Sequence, residues 1–172
     1  MEAISLKTGE HLPFPTKNSL SEKSRVMICA LLQDRLSESI DLFSQVKHAH
    51  WNVKGPNFIA LHQLFDEVAE AFEGYSDLIA ERIAQLGGKA EGTLRMAARR
   101  TKLEEYPITA ISGREHVEAM GRSLAAYGES IQEAIHRAEE LADRGTADLL
   151  TEVSRGADKW LWFIESHNQS GQ

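Results

Sequence analysis

The chain has 172 residues, of which 42% are hydrophobic and 26% charged, a composition typical of one globular domain with a buried core. Its formal net charge is −7, which disfavours a general nucleic-acid-binding surface and suits the handling of cations. One cysteine excludes an internal disulfide, no stretch has the length of a membrane span and no apolar run near the N-terminus is long enough for a secretion signal, so we expect a soluble cytoplasmic protein.

The chain opens with a segment, residues 1–18, that contains two prolines and no helical period, and we expect a mobile N-terminal tail. Ser19 and Glu22 have the spacing of a capping box. This spacing predicts that the first long helix begins here and runs to about Val53. A Gly-Pro dipeptide at 55–56 ends it.

The second helix is predicted from Asn57, a suitable N-cap, to Leu86, because Gly87-Gly88 then stops it. Residues 89–111 form a long connection that ends near a proline. Within this connection, the segment "LRMAARR" predicts a short helix.

Ser112 and Glu115 form a second capping box, which begins the third long helix. The segment "DRGT" separates this helix from the fourth. Residues 19–168 are therefore predicted to form an all-α four-helix bundle, followed by a short C-terminal tail, residues 169–172. The long crossover with its short helix lies between the second and third helices, which is the ferritin-like connectivity.

An acidic stripe runs along the second helix, opposite its apolar face. At about 100° per residue, its members fall within a sector of about 100°. Such a stripe is most often a solvated surface, so it does not establish a binding site by itself. The stripe consists of His62, Asp66, Glu70, Glu73, Asp77 and Glu81.

Two pairs in the stripe have the i,i+4 spacing of metal ligands: His62 with Asp66, and Asp77 with Glu81. Asp66 and Asp77 are about 16 Å apart along the helix, so one straight helix cannot bring both pairs to one ion. Two antiparallel copies can, because facing residues then share one sum: 62 with 81 and 66 with 77 both give 143. The sequence therefore predicts a metal centre shared between two chains about a twofold axis.

His50 lies on the apolar stripe of the first helix, one short turn before the second helix, where it can fold back towards His62. A hydrogen-bonded core histidine remains the alternative. Two neutral imidazoles with carboxylates suit a borderline divalent ion such as Fe²⁺. A di-metal site inside one bundle would need two Glu-x-x-His pairs. Only Glu133 and His136 have this spacing, and we expect that pair to be exposed.

The segment "AHWNVKGPNFIALHQLFDEV" followed by "DLIAERIAQLGG" resembles the Dps mini-ferritins, the DNA-binding proteins from starved cells. The closing "ADLLTEVSRGADKWLWFIESH" resembles their last helix, and the resemblance covers roughly residues 20–167. It implies a dodecameric shell built from twofold dimers, with ferroxidase centres between subunits. Such a shell oxidises Fe²⁺, with hydrogen peroxide favoured over dioxygen as oxidant. It stores the Fe³⁺ as mineral and so protects DNA and the cell from oxidative damage.

The resemblance also implies the iron ligands, residue by residue. The histidine of His-Trp-Asn is His50, and the histidine and aspartate that open the second helix are His62 and Asp66. The partner subunit supplies the aspartate and glutamate of D-x-x-x-E, here Asp77 and Glu81. These five residues are the candidate catalytic and metal-binding set for Fe²⁺ and Fe³⁺.

Two further features are expected near iron. Trp51 borders the centre, either as a packing residue or as a trap for stray oxidising equivalents. Asp143 and Asp148 flank the connection before the fourth helix, where the resemblance implies an acidic pore through which iron enters. The alternative for Asp148 is that an acid at a helix start merely suits the helix dipole.

Two other functions stay open. One is a nucleoid-binding structural protein in which iron chemistry is secondary, and the other is a plain helical oligomer whose acidic stripe is solvated. Phosphate binding needs clustered bases. The N-terminal segment balances Lys7 and Lys17 against Glu2 and Glu10, and the last residues contain no base, so we expect weak DNA binding.

Overall fold

The computed structural model describes residues 11–169, and in that range the chain is helical, with a single β-bridge and no strand. The prediction of an all-α four-helix bundle with a short helix in the crossover is confirmed. The elements are α1 (Glu22–Asn52), α2 (Phe58–Gln85), α3 (Leu94–Arg100), α4 (Gly113–Glu140) and α5 (Arg144–Ser166).

The four long helices form a closed ring in which α1 contacts α2 and α4, and α5 contacts α4 and α2. Cross-helix hydrogen bonds give the directions: Gln45 of α1 accepts from Ser123 of α4, and Arg35 donates to the Ser130 carbonyl further along. Residues later in α1 therefore contact residues earlier in α4, so these two helices are antiparallel. Because α2 is also antiparallel to α1, α2 and α4 run the same way, which requires the long crossover over α1.

The core of the bundle is formed by the apolar faces of the four long helices. Large side chains such as Phe65, Phe72 and Tyr127 are completely buried. An ion pair on α1 is buried in the core: Arg35 donates to Glu38 at 2.8 Å, and Glu38 also accepts from the Ser130 hydroxyl of α4. A charged pair with further hydrogen bonds is a form in which such groups are tolerated in a core.

Two predicted helix starts are wrong. The N-cap of α1 is Ser21, whose hydroxyl accepts from the Ser24 backbone, and not Ser19. The helix α5 begins at Arg144, so most of the segment predicted to separate α4 from α5 is helical. The capping box of Ser112 and Glu115 is confirmed.

The described part of the N-terminal segment lies against the bundle. The backbone N–H of Phe14 donates to the Gly87 carbonyl at 3.1 Å, and Leu12 packs on the core. Gly87 has φ +86°, and a Cβ there would lie 2.5 Å from the Phe14 carbonyl oxygen. Of the two predicted tails, residues 1–18 and 169–172, the parts at 1–10 and 170–172 lie outside the described residues. None of the described helices combines the length and apolarity that a membrane span requires.

Candidate metal centre

The tight turn between α1 and α2 positions the two candidate histidines. Gly55 adopts φ +114°, a conformation that favours glycine, and allows α2 to begin at Phe58. The turn is tied to the start of α4, because the Lys54 N–H donates to Ile111 and the Lys54 carbonyl accepts from Gly113. As a result, the last turns of α1 and the first turns of α2 lie side by side.

His50 and His62 hold each other through main-chain carbonyls. The Nδ1 of His50 donates to the His62 carbonyl at 2.7 Å, and the Nδ1 of His62 donates to the His50 carbonyl at 2.9 Å. The two rings stack with centroids 3.8 Å apart and planes inclined by 19°. We call this reciprocal arrangement the histidine clasp. His50 is therefore not a lone core histidine, and both rings have fixed orientations.

The histidine clasp also selects one form of each imidazole. A carbonyl oxygen only accepts, so each Nδ1 carries a proton. The neutral ring then presents the lone pair of Nε2, which is the atom that binds a metal. A ring N–H donated to a backbone carbonyl is the arrangement that metal-binding histidines commonly show.

Asp66 lies beside the histidine clasp but is held by a lysine. The Nζ of Lys47 donates to Oδ1 of Asp66 at 2.7 Å, and Nδ1 of His50 is 3.9 Å from the same oxygen. The Lys47 ammonium holds the pKa of the Asp66 carboxyl below its usual range, and the two histidines add to this effect. The carboxylate is 58% exposed, so it is ionised and accessible to a cation that displaces the lysine.

The other predicted pair, Asp77 and Glu81, lies further along α2 and is exposed. The structure brings together His50, His62 and Asp66, and leaves Asp77 and Glu81 apart from them. Within residues 11–169 of one chain, no three ligating side chains converge as a complete metal site. The predicted exposure of Glu133 and His136 on α4 is confirmed.

Trp51 is 65% exposed at the end of α1, and the Lys47 ammonium lies 6.0 Å from its ring centroid. It is therefore not packed in the core of its own subunit. Sequence reasoning missed Lys47. The available signal was its spacing, because Lys47 precedes His50 by three residues and Trp51 by four, which puts all three on one face of α1.

The two candidate pore residues differ in their surroundings. Asp148 is exposed. Asp143 is buried and acts as the N-cap of α5: its carboxylate accepts from the Thr146 N–H and hydroxyl, and from Arg82 at 2.8 Å. Both of its oxygens are therefore engaged within the subunit, in contrast to the expectation of an open pore carboxylate.

Comparisons with known proteins agree with this architecture. Residues 29–171 match the ferritin-like domain. The chain is 40% identical to a DNA protection during starvation protein of Agrobacterium fabrum, over 90% of this chain and 95% of the relative. A solved structure of Mycobacterium smegmatis Dps superposes with a TM-score of 0.87 at 34% identity, over 92% of this chain and 98% of that one. DpsA14 from Streptomyces coelicolor gives 0.88 at 31%, over 94% and 95%.

The histidine clasp lies in the segment that carried the resemblance, and the matches extend over nearly the whole bundle. The chain belongs to the Dps family of ferritin-like proteins.

Proposed function

We propose that the protein is a ferroxidase and iron-storage mini-ferritin, whose iron centres form between two copies of the chain. One chain contributes the histidine clasp and Asp66, and the partner contributes its Asp77 and Glu81. The substrate is Fe²⁺ and the product is Fe³⁺, stored as mineral inside a hollow homo-oligomer, which we propose to be a dodecamer.

The observation that carries this proposal is the histidine clasp. The main chain fixes two stacked imidazoles through Nδ1, and the Nε2 atom of each ring is left for a ligand. Borderline imidazole nitrogens with a carboxylate suit Fe²⁺. The pair at 77 and 81 fits the same centre only in a twofold dimer, by the shared sum of residue numbers.

Each group then has a separate role. The two histidines orient the incoming Fe²⁺ through rigid nitrogen donors, and Asp66 exchanges the Lys47 ammonium for the metal ion. The carboxylates of the partner's Asp77 and Glu81 complete the centre. Hard carboxylate oxygens favour the higher charge of Fe³⁺, so the same set that collects Fe²⁺ also favours its oxidation.

Hydrogen peroxide is the oxidant that we propose, because its two-electron reduction by two Fe²⁺ ions releases no hydroxyl radical. Removing peroxide and Fe²⁺ together would protect DNA, the role that the names of the relatives state for those proteins. We propose the cytoplasm as the compartment, in keeping with the single, buried Cys29.

A second candidate function, direct binding of DNA, is favoured by one observation. The crossover helix α3 and its flank expose four bases, and the two on its outermost face, Arg95 and Arg99, form no ion pair within the described part of the chain. The nearby Arg100 lies 3.8 Å from Asp34. Four bases in one subunit give a salt-sensitive contact and not a tight complex, so iron oxidation remains the first proposal.

The test of the shared centre is a mixing experiment between two inactive variants. The first carries His50→Ala, His62→Ala and Asp66→Ala, and the second carries Asp77→Ala and Glu81→Ala. Each variant alone should lose most of its rapid iron oxidation. Oxidation is measured by absorbance after the protein is loaded anaerobically with Fe²⁺ and peroxide is added.

In a mixed dimer, one centre takes both damaged halves and the other takes both intact halves. Co-refolded mixtures should therefore regain up to about a quarter of wild-type activity, since half of randomly formed dimers are mixed and half of their centres are intact. Mass measurement of differently tagged chains verifies that mixed dimers form. If they form and activity stays at the level of the parents, the centre is not shared.

A further inference from the structure

A half-buried tyrosine and a buried histidine form a hydrogen-bonded pair outside the candidate metal centre. Tyr106 follows α3 in the crossover, and His116 lies in the first turn of α4. The Tyr106 hydroxyl and Nδ1 of His116 are 2.6 Å apart, and the rings are inclined by 19° with centroids 6.0 Å apart. His116 is completely buried, with the edge of Phe65 against it. The ferroxidase proposal gives this pair no task.

The protonation states of the pair follow from its surroundings. Burial lowers the pKa of His116, and the nearby His48 adds to this, so the imidazole is neutral at neutral pH. Burial also raises the pKa of Tyr106, so the phenol keeps its proton. The phenol therefore donates to Nδ1, and the ring proton of His116 is on Nε2. Nε2 has no well-formed hydrogen bond among residues 11–169, although the backbone of Asn52 is close enough to favour a proton on the ring.

This arrangement makes Tyr106 chemically different from the other two tyrosines of the chain. A phenol gives up an electron far more readily when its proton leaves at the same time, and a neutral imidazole nitrogen at 2.6 Å is within proton-transfer reach. Tyr127 is buried, but its hydroxyl makes no well-formed hydrogen bond within residues 11–169, and the nearby Ser39 hydroxyl is not a base. Tyr75 makes no hydrogen bond to an imidazole in that part of the chain either. Among residues 11–169, the Tyr106 phenol is the only one with an imidazole nitrogen positioned to receive its proton.

The pair packs against residues that neighbour the proposed iron ligands in sequence. The ring of His48 lies edge-on to Tyr106, with centroids 5.2 Å apart, and His48 precedes His50 by two residues, about 3 Å of helix rise. On the other side, Phe65 contacts His116 and is the residue before Asp66. Packed side chains on α1 and α2 therefore link the pair to the helix segments that carry His50 and Asp66, which belong to the same half of the proposed centre.

We propose that Tyr106 and His116 form an oxidisable pair that intercepts one-electron oxidants arising at the iron centre. This rests on the proposed ferroxidase function. When a single Fe²⁺ reduces hydrogen peroxide, the products are Fe³⁺, hydroxide and a hydroxyl radical. Tyr106 supplies one electron to that radical, converting it to a second hydroxide. The phenolic proton moves to Nδ1 of His116, which leaves a neutral phenoxyl radical beside an imidazolium.

The pair is restored by a second Fe²⁺. That ion gives one electron to the phenoxyl radical and becomes Fe³⁺, while the proton returns from His116 to the tyrosine oxygen. The sum is two Fe²⁺ and one peroxide converted to two Fe³⁺ and two hydroxides, which is the balanced two-electron reaction. Tyr106 and His116 thus complete that reaction when the two iron ions arrive one after the other.

The decisive experiment uses no iron. A flash-excited ruthenium tris-bipyridine complex with persulfate generates a strong one-electron oxidant, and freezing followed by high-field EPR identifies tyrosyl radicals. We expect a signal in the intact assembly and in the matched controls Tyr127→Phe and Tyr75→Phe, and its loss in Tyr106→Phe. A signal that survives in Tyr106→Phe overturns the assignment.

Two measurements separate proton acceptance by His116 from a structural role. In His116→Gln, whose side chain is a far weaker base, the radical yield should fall, and the g-value that reports hydrogen bonding to the phenoxyl oxygen should shift. In the unaltered protein, the radical should form more slowly in D2O, because a proton moves with the electron. This second measurement decides the question even where the variant fails to assemble, and equal rates in the two solvents overturn proton transfer to His116.

The protective role is then measured with Fe²⁺ and limiting peroxide in the presence of a spin trap. Tyr106→Phe should release more trapped hydroxyl radical than Tyr127→Phe. Equal yields from two variants that both oxidise iron overturn the protective role. If the intact protein does not oxidise iron, the ferroxidase proposal fails, while the light-driven experiment still decides whether Tyr106 and His116 are an oxidisable pair.

Discussion

Replacing Asp143 tests whether its carboxylate stabilises the fold or lines an iron pore. In Asp143→Ala, α5 loses its N-cap, which costs about 1 kcal/mol. The change also leaves Arg82, whose side chain is only 15% exposed, without its charged partner. Breaking a buried pair costs about 3–5 kcal/mol, and we take the lower end because Arg82 keeps bonds to Thr146 and Gln85. The expected loss of unfolding free energy is therefore about 4 kcal/mol.

Asp143→Asn isolates the charge, because asparagine is as good an N-cap as aspartate. This variant should lose about 3 kcal/mol. At roughly 2–4 °C per kcal/mol for a chain of this size, its Tm should fall by about 6–12 °C, and that of Asp143→Ala by about 8–16 °C. Thermal unfolding is followed by circular dichroism at one fixed protein concentration, because assembly contributes to Tm.

Asp148→Asn is the matched control, since Asp148 is exposed and five residues away. Its Tm should change little, because surface substitutions are within about 0.5 kcal/mol. If Asp148 lines a pore, this variant should also take up Fe²⁺ more slowly while the assembly stays intact. An Asp143→Asn protein with unchanged Tm and slowed uptake would refute the stabilising role of the Arg82–Asp143 ion pair and place Asp143 in the pore.

Three further changes have defined outcomes. Lys47→Met should tighten binding of Co²⁺, a surrogate for Fe²⁺, by about two- to fivefold in calorimetry, because Asp66 loses an exposed ion pair that competes with the metal. Weaker binding would contradict this role. Gly156→Ala should destabilise the protein by about 1–3 kcal/mol, because the new Cβ would overlap the Tyr75 hydroxyl. Gly121→Ala, with no neighbour closer than 4.0 Å, should stabilise it slightly. Gel shifts at physiological salt should show weak or absent DNA binding, and tight complexes that vanish on deleting the N-terminal segment would contradict that expectation.

Sequence patterns predicted the helices well because their determinants are local. The capping box at Ser112 needs only four consecutive residues, and the apolar periods need only the helix itself. The first N-cap was missed because two serines compete. The Asn18 side chain accepts from the Leu20 N–H, and this turn takes the backbone past Ser19 before the helix begins at Ser21.

The sequence predicted only those features of the candidate site that depend on residue spacing within one helix. The i,i+4 pairs and the shared sum are properties of one helix. The histidine clasp joins residues 12 positions apart in sequence, and the ion pair of Lys47 with Asp66 joins residues 19 apart across the α1–α2 hairpin. The bond between Tyr106 and His116 depends on how an irregular crossover meets the start of α4. Such contacts are set by packing and have no periodic signature.

The histidine clasp has a consequence for tolerance to mutation. Metal-binding histidines held by acidic side chains lose their orientation when those side chains change. Here the acceptors are the carbonyls of His50 and His62 themselves, which belong to the main chain and do not depend on the identity of another side chain. The orientation of the two rings therefore depends on the backbone conformation between His50 and His62. Gly55, at φ +114°, is the position where a single side chain would alter that path, so neighbouring surface residues can diverge freely while this glycine cannot.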